Sequence, residues 1–396
     1  MKEYRQIVRM AQEGAASVLV TLVRTQGSSY RQPGARLLLG AHGGYAGTLS
    51  GGCLEGEVVR KATWLIHKGA VVQRYSTMFD DTAEIPFGLG CGGIVDLLLE
   101  PTSTPEFRAL LAALERSLTG EESIVLTWLP NEGRELARAV LSPEGDLLFS
   151  SDRLTEEVLA NVKACVASCI EELPQEIFME RVVAPQRVFI LGAGDDVKPL
   201  VSIAALLGWT VKVIDGRSQL AKVGRFPEAE SVSVIQSTAL ALGEVKRNDA
   251  VVIMTHSYDQ DRGWLAAILP LRPAYIGMLG ARHRTSFLIS DVASELGFSV
   301  AECCELIQAP VGLNLGGDGP EVIALAIVAE IQASRTGMLA NSRKLTPMDV
   351  ESYVKQSGSA GLYASSAMDS TCSAEKSVSR AAVRLSGRAP LAYGPA

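Results

Sequence analysis

The sequence lacks three features that mark cysteine-pair sites, membrane spans and nucleic-acid-binding surfaces. It has no C-x-x-C pair among its seven cysteines, no uninterrupted apolar run of about 18 residues, and no excess of basic residues. Seven cysteines without framework spacing indicate free thiols in a reducing compartment. The chain starts with a charged amphipathic segment and not an apolar signal core. A net charge of −7 disfavours nucleic acid or anionic membrane as a partner, because both bind basic surfaces. We therefore expect a cytoplasmic protein whose ligand is a small molecule or another protein.

What the chain does contain is typical of a packed globular protein with two or three domains, since 47% of its 396 residues are hydrophobic and 20% are charged. The predicted fold class is α/β. We expect an N-terminal α+β domain over residues 1–184 and a Rossmann-like, doubly wound parallel-sheet domain over residues 185–340. Residues 341–396 are expected to form a disordered tail, because Ser, Ala and Gly dominate there without apolar periodicity.

Two cysteines are surrounded by glycine, Cys53 after Gly51-Gly52 and Cys91 before Gly92-Gly93. Glycine permits sharp turns and lets a bulky group approach the backbone and the sulfur. Residues 54–68 have the pattern of an amphipathic helix, so Cys53 is expected at a helix N-terminus, which favours the thiolate form. The alternative is an ordinary strand-to-helix turn in which Cys53 is a small buried hydrophobe.

The loop before Cys53 carries polar groups that could join it. A β-branched strand over residues 17–24 leads into Ser28 and Arg31, and a predicted hairpin then delivers the chain to Cys53. Cys165 and Cys169 are spaced four residues apart on a predicted helix. We interpret this pair as packing, because no third cysteine or histidine completes a zinc site nearby.

The second half contains a dinucleotide-binding βαβ pattern. A buried strand over residues 187–191 runs into Gly192-Ala-Gly194, a helix follows, and the next strand ends at Asp215. The ligand is less clear from the pattern. Val197 replaces the third glycine, and the carboxylates of Asp195 and Asp196 lie where a pyrophosphate would approach the helix.

Polar residues also follow two later strands of the same predicted sheet. His256 ends the strand over residues 249–255, and Arg282, His283 and Arg284 follow the strand over residues 274–279. Ligands bind at this edge of open α/β sheets. We weigh His256 evenly between a site and a structural role, and interpret His283 as a surface or capping residue. Arg282 and Arg284 suit an anion, although they could also be a solvated helix start.

Taken in order, these motifs resemble the XdhC/CoxI family of xanthine dehydrogenase accessory proteins over about residues 10–337. The resemblance rests on Gly27-Ser28-Ser29, Pro33-Gly34, Ser50-Gly51-Gly52-Cys53-Leu54-Glu55, Gly88-Leu-Gly90-Cys91-Gly92-Gly93, Gly192-Ala-Gly194, Asp215-Gly-Arg217, Thr255-His256, Tyr275-Ile-Gly277 and Gly312-Leu313.

The resemblance implies a chaperone that binds molybdenum cofactor, protects it while a cysteine desulfurase partner installs the terminal sulfido ligand, and delivers it to a xanthine dehydrogenase-type molybdoenzyme. It does not imply catalytic turnover, and a homodimer is expected. Cys53 is the expected metal ligand or sulfur carrier, because molybdenum favours sulfur and oxygen donors, and His256 is the second reactive residue. The expected cofactor-binding residues are Ser28, Arg31, Gly51, Gly52, Cys53, Cys91, Gly192, Gly194, Asp215, Arg282 and Arg284.

Two other functions remain open from the sequence. The first is an NAD(P)-dependent oxidoreductase using the Rossmann-like domain, although Asp195 and Asp196 count against a bound dinucleotide and a fold alone does not establish a function. The second is a thiol enzyme in which Cys53 is the nucleophile and His256 the base. That pairing requires hydrogen-bond reach across two domains.

Overall fold

Three β-sheets determine where the candidate site residues lie. The computed structural model describes residues 2–14, 16–26, 29–41, 43–76, 94–167, 174–235, 242–338 and 346–358. Its strands are β1 Ala16–Gln26, β2 Arg36–Gly40, β3 Tyr45–Gly47, β4 Val71–Ser76, β5 Ile94–Pro101, β6 Ser123–Trp128, β7 Ala137–Leu141, β8 Leu147–Ser150, β9 Ile177–Val182, β10 Arg187–Leu191, β11 Thr210–Asp215, β12 Ser231–Val234, β13 Ala250–Ile253, β14 Tyr275–Met278 and β15 Ile307–Gln308. Its α-helices are α1 Lys2–Gln12, α2 Cys53–Leu65, α3 Pro105–Leu118, α4 Glu156–Ala167, α5 Val197–Leu206, α6 Tyr258–Ile268, α7 Arg282–Leu296, α8 Val300–Leu306, α9 Pro320–Arg335 and α10 Pro347–Gly358.

The first sheet is antiparallel and has the strand order β3-β2-β1-β5-β4. The central strand β1 is a nearly continuous apolar run because helices cover both faces of the sheet. On one face Val20 belongs to a buried cluster with Leu54 of α2. On the other face Leu19 belongs to a cluster with Ile7 of α1 and Leu110 of α3. The β2–β3 hairpin then leads directly to the start of α2, as predicted.

The second sheet, β8-β7-β6-β9, is also antiparallel and packs against the first. Val125 of β6 shares a buried cluster with α1 and α3. Arg138 of β7 crosses between the sheets, and its guanidinium donates to both carboxylate oxygens of Glu100 on β5 at 2.9 and 3.0 Å. Both side chains are at most 2% exposed. This buried ion pair therefore links the two sheets.

The third sheet is wholly parallel, with the strand order β12-β11-β10-β13-β14-β15. Counted from β10 this is 3-2-1-4-5-6, the doubly wound order of dinucleotide-binding folds. Helices α5 and α9 cover one face with Leu200 and Ile327. Helices α6, α7 and α8 cover the other with Leu265, Leu288 and Cys303. Strands buried on both faces explain the unbroken apolar runs in the sequence.

The predicted fold class is confirmed, and most predicted elements begin and end within a few residues of their observed bounds. The described residues up to Val354 belong to one compact unit. A domain boundary at residues 184 and 185 coincides with the change from antiparallel to parallel sheets and stays a prediction. Among the helices in the described ranges, none combines the length and apolar character needed to cross a membrane.

The predicted disordered tail over residues 341–396 is wrong for α10. Thr346 and Asp349 cap this helix reciprocally: the Asp349 carboxylate accepts from the Thr346 N–H at 3.0 Å, and the Thr346 hydroxyl oxygen accepts from the Asp349 N–H at 3.2 Å. Val350 is fully buried in the cluster formed by α6, α7 and α8. The sequence Thr346-Pro-Met-Asp349 has the spacing of a capping box, a signal that marks a helix start. Residues beyond 358 lie outside the described part of the chain.

Candidate functional site

The glycine turn before Cys53 has the geometry that its sequence predicts. Gly52 is the N-cap of α2, with φ of 117° and ψ of −24°, a left-handed conformation that favours glycine. A Cβ atom built on Gly51 or Gly52 would meet no other atom within 4 Å. Cys53 is the first residue of α2, so the predicted position at a helix N-terminus is confirmed. The turn is thus open on its outer side and places Cys53 where a helix favours an anion.

A buried carboxylate, Glu55, holds this turn in place. It accepts hydrogen bonds from the N–H groups of Leu49, Ser50 and Gly52 at 2.9, 2.7 and 3.1 Å, and also from the Ser50 hydroxyl. Burial opposes ionisation of Glu55, but the hydrogen bonds from Ser50 and the backbone outweigh burial and lower the pKa of the carboxyl. An ionised Glu55 therefore fixes the backbone immediately before Cys53.

A groove of about 490 Å³ lies beside the turn and is lined by Tyr30, Arg31, Tyr45, Thr48, Ser50, Gly51, Gly52 and Glu55. Arg31 donates to both carboxylate oxygens of Glu3 at 2.9 and 2.7 Å and to the Thr48 hydroxyl at 2.6 Å. These bonds tie α1 to the loop before Gly51 and compensate the charge of Arg31. The predicted approach of Arg31 to the glycine turn is therefore observed, but this guanidinium already has a carboxylate partner.

The remaining cysteines and Ser28 lie in different parts of the chain. Ser28 and Cys91 lie outside the described residues, so their convergence with Cys53 stays a prediction. Cys165 is half-buried on α4, and Cys169 also lies outside the described residues. Cys303 and Cys304 are buried in the parallel-sheet core.

At the carboxyl edge of the parallel sheet, the glycines after β10 permit close packing. Gly192 has φ of 131°, and a Cβ atom there would lie 2.4 Å from the carbonyl oxygen of Met254. A Cβ atom on Gly194 would lie 2.3 Å from Oδ1 of Asp196. The space above Gly194 is thus taken by a carboxylate of the same turn, in the place where a dinucleotide-binding fold accommodates a pyrophosphate.

Asp215, the acid at the end of β11, is fully buried and internally bonded. One of its oxygens accepts from the Ala193 N–H at 2.8 Å, and both accept from Arg217, whose guanidinium binds at 2.9 and 2.8 Å. Burial raises the pKa of Asp215, but the bonds from Arg217 outweigh burial and hold the pKa below its ordinary value. A ribose hydroxyl would have to compete with these donors.

His256 is an exposed residue at this edge. Its Nε2 lies 2.8 Å from Oδ2 of Asp196, and its backbone φ of 64° is uncommon for a residue other than glycine. The hydrogen bond with Asp196 raises the pKa of His256 against the opposing effect of burial. The other charges that act on the imidazole are Asp261 and Arg284, also from this region. The pairing of His256 with Cys53 stays a prediction.

The two predicted anion-binding arginines have different surroundings. Arg284 donates to Oδ2 of Asp261 at 2.7 Å, and this fully buried carboxylate also accepts from the Thr255 hydroxyl at 2.6 Å. Arg282, at the start of α7, is exposed and lies 3.7 Å from Asp349 of α10. Arg284 therefore stabilises the loop after β13, whereas Arg282 faces solvent.

Three carboxylates that were not among the predicted site residues hold parts of the two candidate regions in place: Glu55, Asp196 and Asp261. Glu55 had a local signal, because it stands three residues after the N-cap Gly52, the capping-box position. Asp196 and Asp261 bind residues 60 and 23 positions away in the sequence, so only the folded chain shows their roles. Within the described ranges, no group of three or more His, Cys, Asp or Glu side chains is placed to hold a metal ion.

Comparison with known families assigns both halves of the chain. The family model described as "XdhC Rossmann domain" matches residues 188–331, and the one described as "XdhC and CoxI family" matches residues 10–76. The chain belongs to the XdhC/CoxI family. The match over residues 10–76 contains the glycine turn and Cys53, and the match over residues 188–331 contains the parallel sheet with the Asp196–His256 contact.

Two relatives and one crystal structure resemble this XdhC/CoxI protein over most of its length. A "Probable xanthine dehydrogenase" subunit from Bacillus subtilis (strain 168) is 28% identical over 321 residues, which are 81% of this chain and 93% of the relative. The "Molybdenum cofactor insertion chaperone PaoD" of Escherichia coli (strain K12) is 25% identical over 337 residues, or 84% and 89% of the two chains. The crystal structure of a xanthine dehydrogenase from Bacillus halodurans has a TM-score of 0.73 and 28% identity, and covers 86% of this chain and 97% of that one.

Proposed function

We propose that this protein binds molybdenum cofactor as cargo and delivers it to a molybdoenzyme of the xanthine dehydrogenase type. Two relatives support the proposal, because one is named as part of a xanthine dehydrogenase and the other as a chaperone for molybdenum cofactor insertion. The alignments include most of this chain and most of each relative.

The observation that carries the proposal is the turn at Cys53. Glu55 fixes the backbone around Gly52, and α2 begins at Cys53 beside an open groove. A thiolate is a soft donor that suits molybdenum, and a cysteine can also carry sulfur. In this proposal Cys53 is the metal ligand or the sulfur carrier, and the fixed turn keeps it beside the groove.

The groove has groups suited to the rest of the cofactor, a pterin with a phosphate. The open outer sides of Gly51 and Gly52 let a flat group approach the backbone. Arg31 uses three of its five N–H groups on Glu3 and Thr48, so two remain without an acceptor among the described residues. Those two could donate to a phosphate oxygen.

The carboxyl edge of the parallel sheet offers fewer groups for binding the cofactor than the groove does. Gly194, Asp215 and Arg284 make contacts within the edge itself, so that among the predicted site residues with side chains at this edge Arg282 and the partly exposed His256 face solvent. The same contacts argue against the NAD(P)-dependent oxidoreductase, because the pyrophosphate and ribose positions are taken by Asp196 and Arg217. We propose that this edge supports the cofactor-bearing domain and contributes Arg282 and His256 at most.

The finer parts of the proposal come from the family resemblance. They are protection of the cofactor while a cysteine desulfurase installs the terminal sulfido ligand, transfer to the client enzyme and a homodimeric state. A cytoplasmic location is proposed from the composition of the sequence. Each can be tested separately from cofactor binding.

The deciding experiment is cofactor analysis of the full-length protein purified from a molybdenum-replete host. Denaturation under oxidising conditions should release a fluorescent pterin, and metal analysis should find molybdenum at a substantial fraction of one per chain. The loaded protein should then activate a cofactor-free molybdoenzyme. Protein that lacks both pterin and molybdenum even after reconstitution would overturn the proposal, and tight binding of NAD(P) in its place would favour the oxidoreductase.

A further inference from the structure

Two tyrosines in the groove beside Gly51 and Gly52 expose most of their surface. Tyr30 is 69% exposed and Tyr45 is 58% exposed. Among the exposed large hydrophobic side chains of the described ranges, the aromatic ones are these two and Trp64, which is 76% exposed on α2. All three lie near Cys53 in the sequence, and two of them line the groove.

The two rings are carried by a strand and by the loop that contains Arg31. Tyr45 begins β3, where it is paired with Leu39 of β2. Tyr30 precedes Arg31, whose guanidinium is fixed by the two-pronged ion pair with Glu3. Neither tyrosine hydroxyl has a hydrogen bond to another described residue. These rings therefore contribute little to the packing of the fold, and Tyr45 is carried by a strand that pairs with β2.

The shape of the groove suits a flat ligand. Its volume of about 490 Å³ lies within the usual range for small-molecule sites. Gly51 and Gly52 present bare backbone along one part of its lining, and apart from the adjacent residues of the chain no atom lies within 4 Å of where their Cβ atoms would be. A planar heterocycle can lie against such a surface and stack on an aromatic side chain, because every such heterocycle has a π-face.

We infer that Tyr30 and Tyr45 bind the pterin rings of the cofactor by stacking, beside the site at which Cys53 meets the metal. This inference rests on the proposed function and assigns separate residues to separate parts of the ligand. The tyrosines stack on the pterin, and Cys53 binds molybdenum or carries sulfur. Loss of a ring should therefore weaken binding of the pterin even when no metal is present.

The test measures binding of the metal-free pterin dithiolene to full-length protein, by the pterin fluorescence recovered after oxidation. We expect Tyr30→Leu and Tyr45→Leu each to weaken the Kd roughly 5- to 100-fold, the range for loss of one stacked aromatic. Tyr30→Phe and Tyr45→Phe keep the ring and should bind nearly as well as the unaltered protein. Trp64→Leu is the matched control, because it removes an equally exposed aromatic that does not line the groove.

The outcomes separate this inference from the proposed function. If the unaltered protein retains neither pterin nor molybdenum, the proposed function fails and the inference fails with it. If the unaltered protein binds cofactor and the Leu variants bind it equally well, the stacking role alone is overturned. If the Phe variants lose as much affinity as the Leu variants, the hydroxyls bind the ligand and stacking is again wrong.

Discussion

Nε2 of His256 and Oδ2 of Asp196 lie 2.8 Å apart and connect the loop after β13 to the N-cap of α5. The hydrogen bond favours the protonated imidazole and raises the pKa of His256. Because the folded-state pKa is raised above the unfolded value, the stabilisation is complete below the unfolded pKa. It is lost as pH rises through the folded pKa. The imidazole is more than half exposed, so we expect a small effect on stability.

Histidine titration by NMR tests this contact, since the chain has only four histidines. Asp196→Asn should lower the pKa of His256 toward its ordinary value. Asp195→Asn is the matched control, because Asp195 is 82% exposed and pairs with Arg225 and Lys198. An unchanged His256 titration in Asp196→Asn would show that the contact does not persist in solution.

Replacing the buried carboxylate of the glycine turn should loosen the Cys53 region. Glu55→Gln puts an N–H₂ group where a carboxylate oxygen accepts hydrogen bonds, so we expect a loss of about 1–3 kcal/mol in the free energy of unfolding. The pKa of Glu55 is lowered in the fold, so its contribution is present at neutral pH. It disappears as pH falls through that pKa, and the two proteins should become similar in acid.

Urea unfolding at neutral and acid pH measures both effects. Glu13→Gln is the control, because Glu13 and its partner Arg9 are both exposed and such pairs contribute about 0–1 kcal/mol. Equal losses for the two variants would contradict the clamping role of Glu55.

Local patterns predicted the elements of this fold because each element leaves its own signature. The apolar run at 187–191, the glycines after it and the acid at Asp215 identified the first βαβ unit. The glycine pair before Cys53 identified the start of α2. These features depend on neighbours within a few residues, and apolar periodicity reports them directly.

Contacts between distant segments could not be predicted in this way. Arg31 was expected beside the glycine turn, but its ion pair with Glu3 of α1, which neutralises much of its charge, was not predicted. Asp215 was expected among the cofactor-binding residues, but one of its oxygens accepts from the N–H of Ala193, 22 residues earlier in the chain. Charge and position in the sequence suggest that a residue can bind a ligand. Only the folded chain shows which of these residues already bind another side chain or a backbone group.

The ion pair between Arg138 and Glu100 should be essential for joining the two antiparallel sheets. Both groups are buried, so Arg138→Leu leaves an uncompensated carboxylate and should destabilise the protein by about 3–5 kcal/mol. The double variant Glu100→Leu/Arg138→Leu should lose less than the sum of the two single variants. Arg9→Leu is the control, since Arg9 and its partner Glu13 are both exposed. Additive losses measured by urea unfolding would show that the pair is not coupled.

Helix α10 should contribute to stability, whereas the chain beyond it should not. Truncation after Gly358 removes residues with little apolar periodicity, and we expect no change in Tm. Truncation after Met338 also removes Val350, whose burial is worth about 1.5–3 kcal/mol, so Tm should fall. Val350→Ala and Met348→Ala provide a matched pair, because Met348 on the same helix is 80% exposed. Equal Tm values for this pair would show that α10 does not dock in solution.

The last prediction concerns Cys53. Cys53→Ser exchanges near-isosteric side chains at an open turn, so the free energy of unfolding should fall by at most about 1–2 kcal/mol. Molybdenum retention and activation of the client enzyme should collapse, because a hydroxyl is a harder, far less acidic donor and cannot carry sulfur. Pterin binding through the tyrosines should persist in part. Cys165→Ser on α4 should behave as the unaltered protein. Full client activation by Cys53→Ser, with normal molybdenum retention, would mean that this thiol has no part in holding the cofactor.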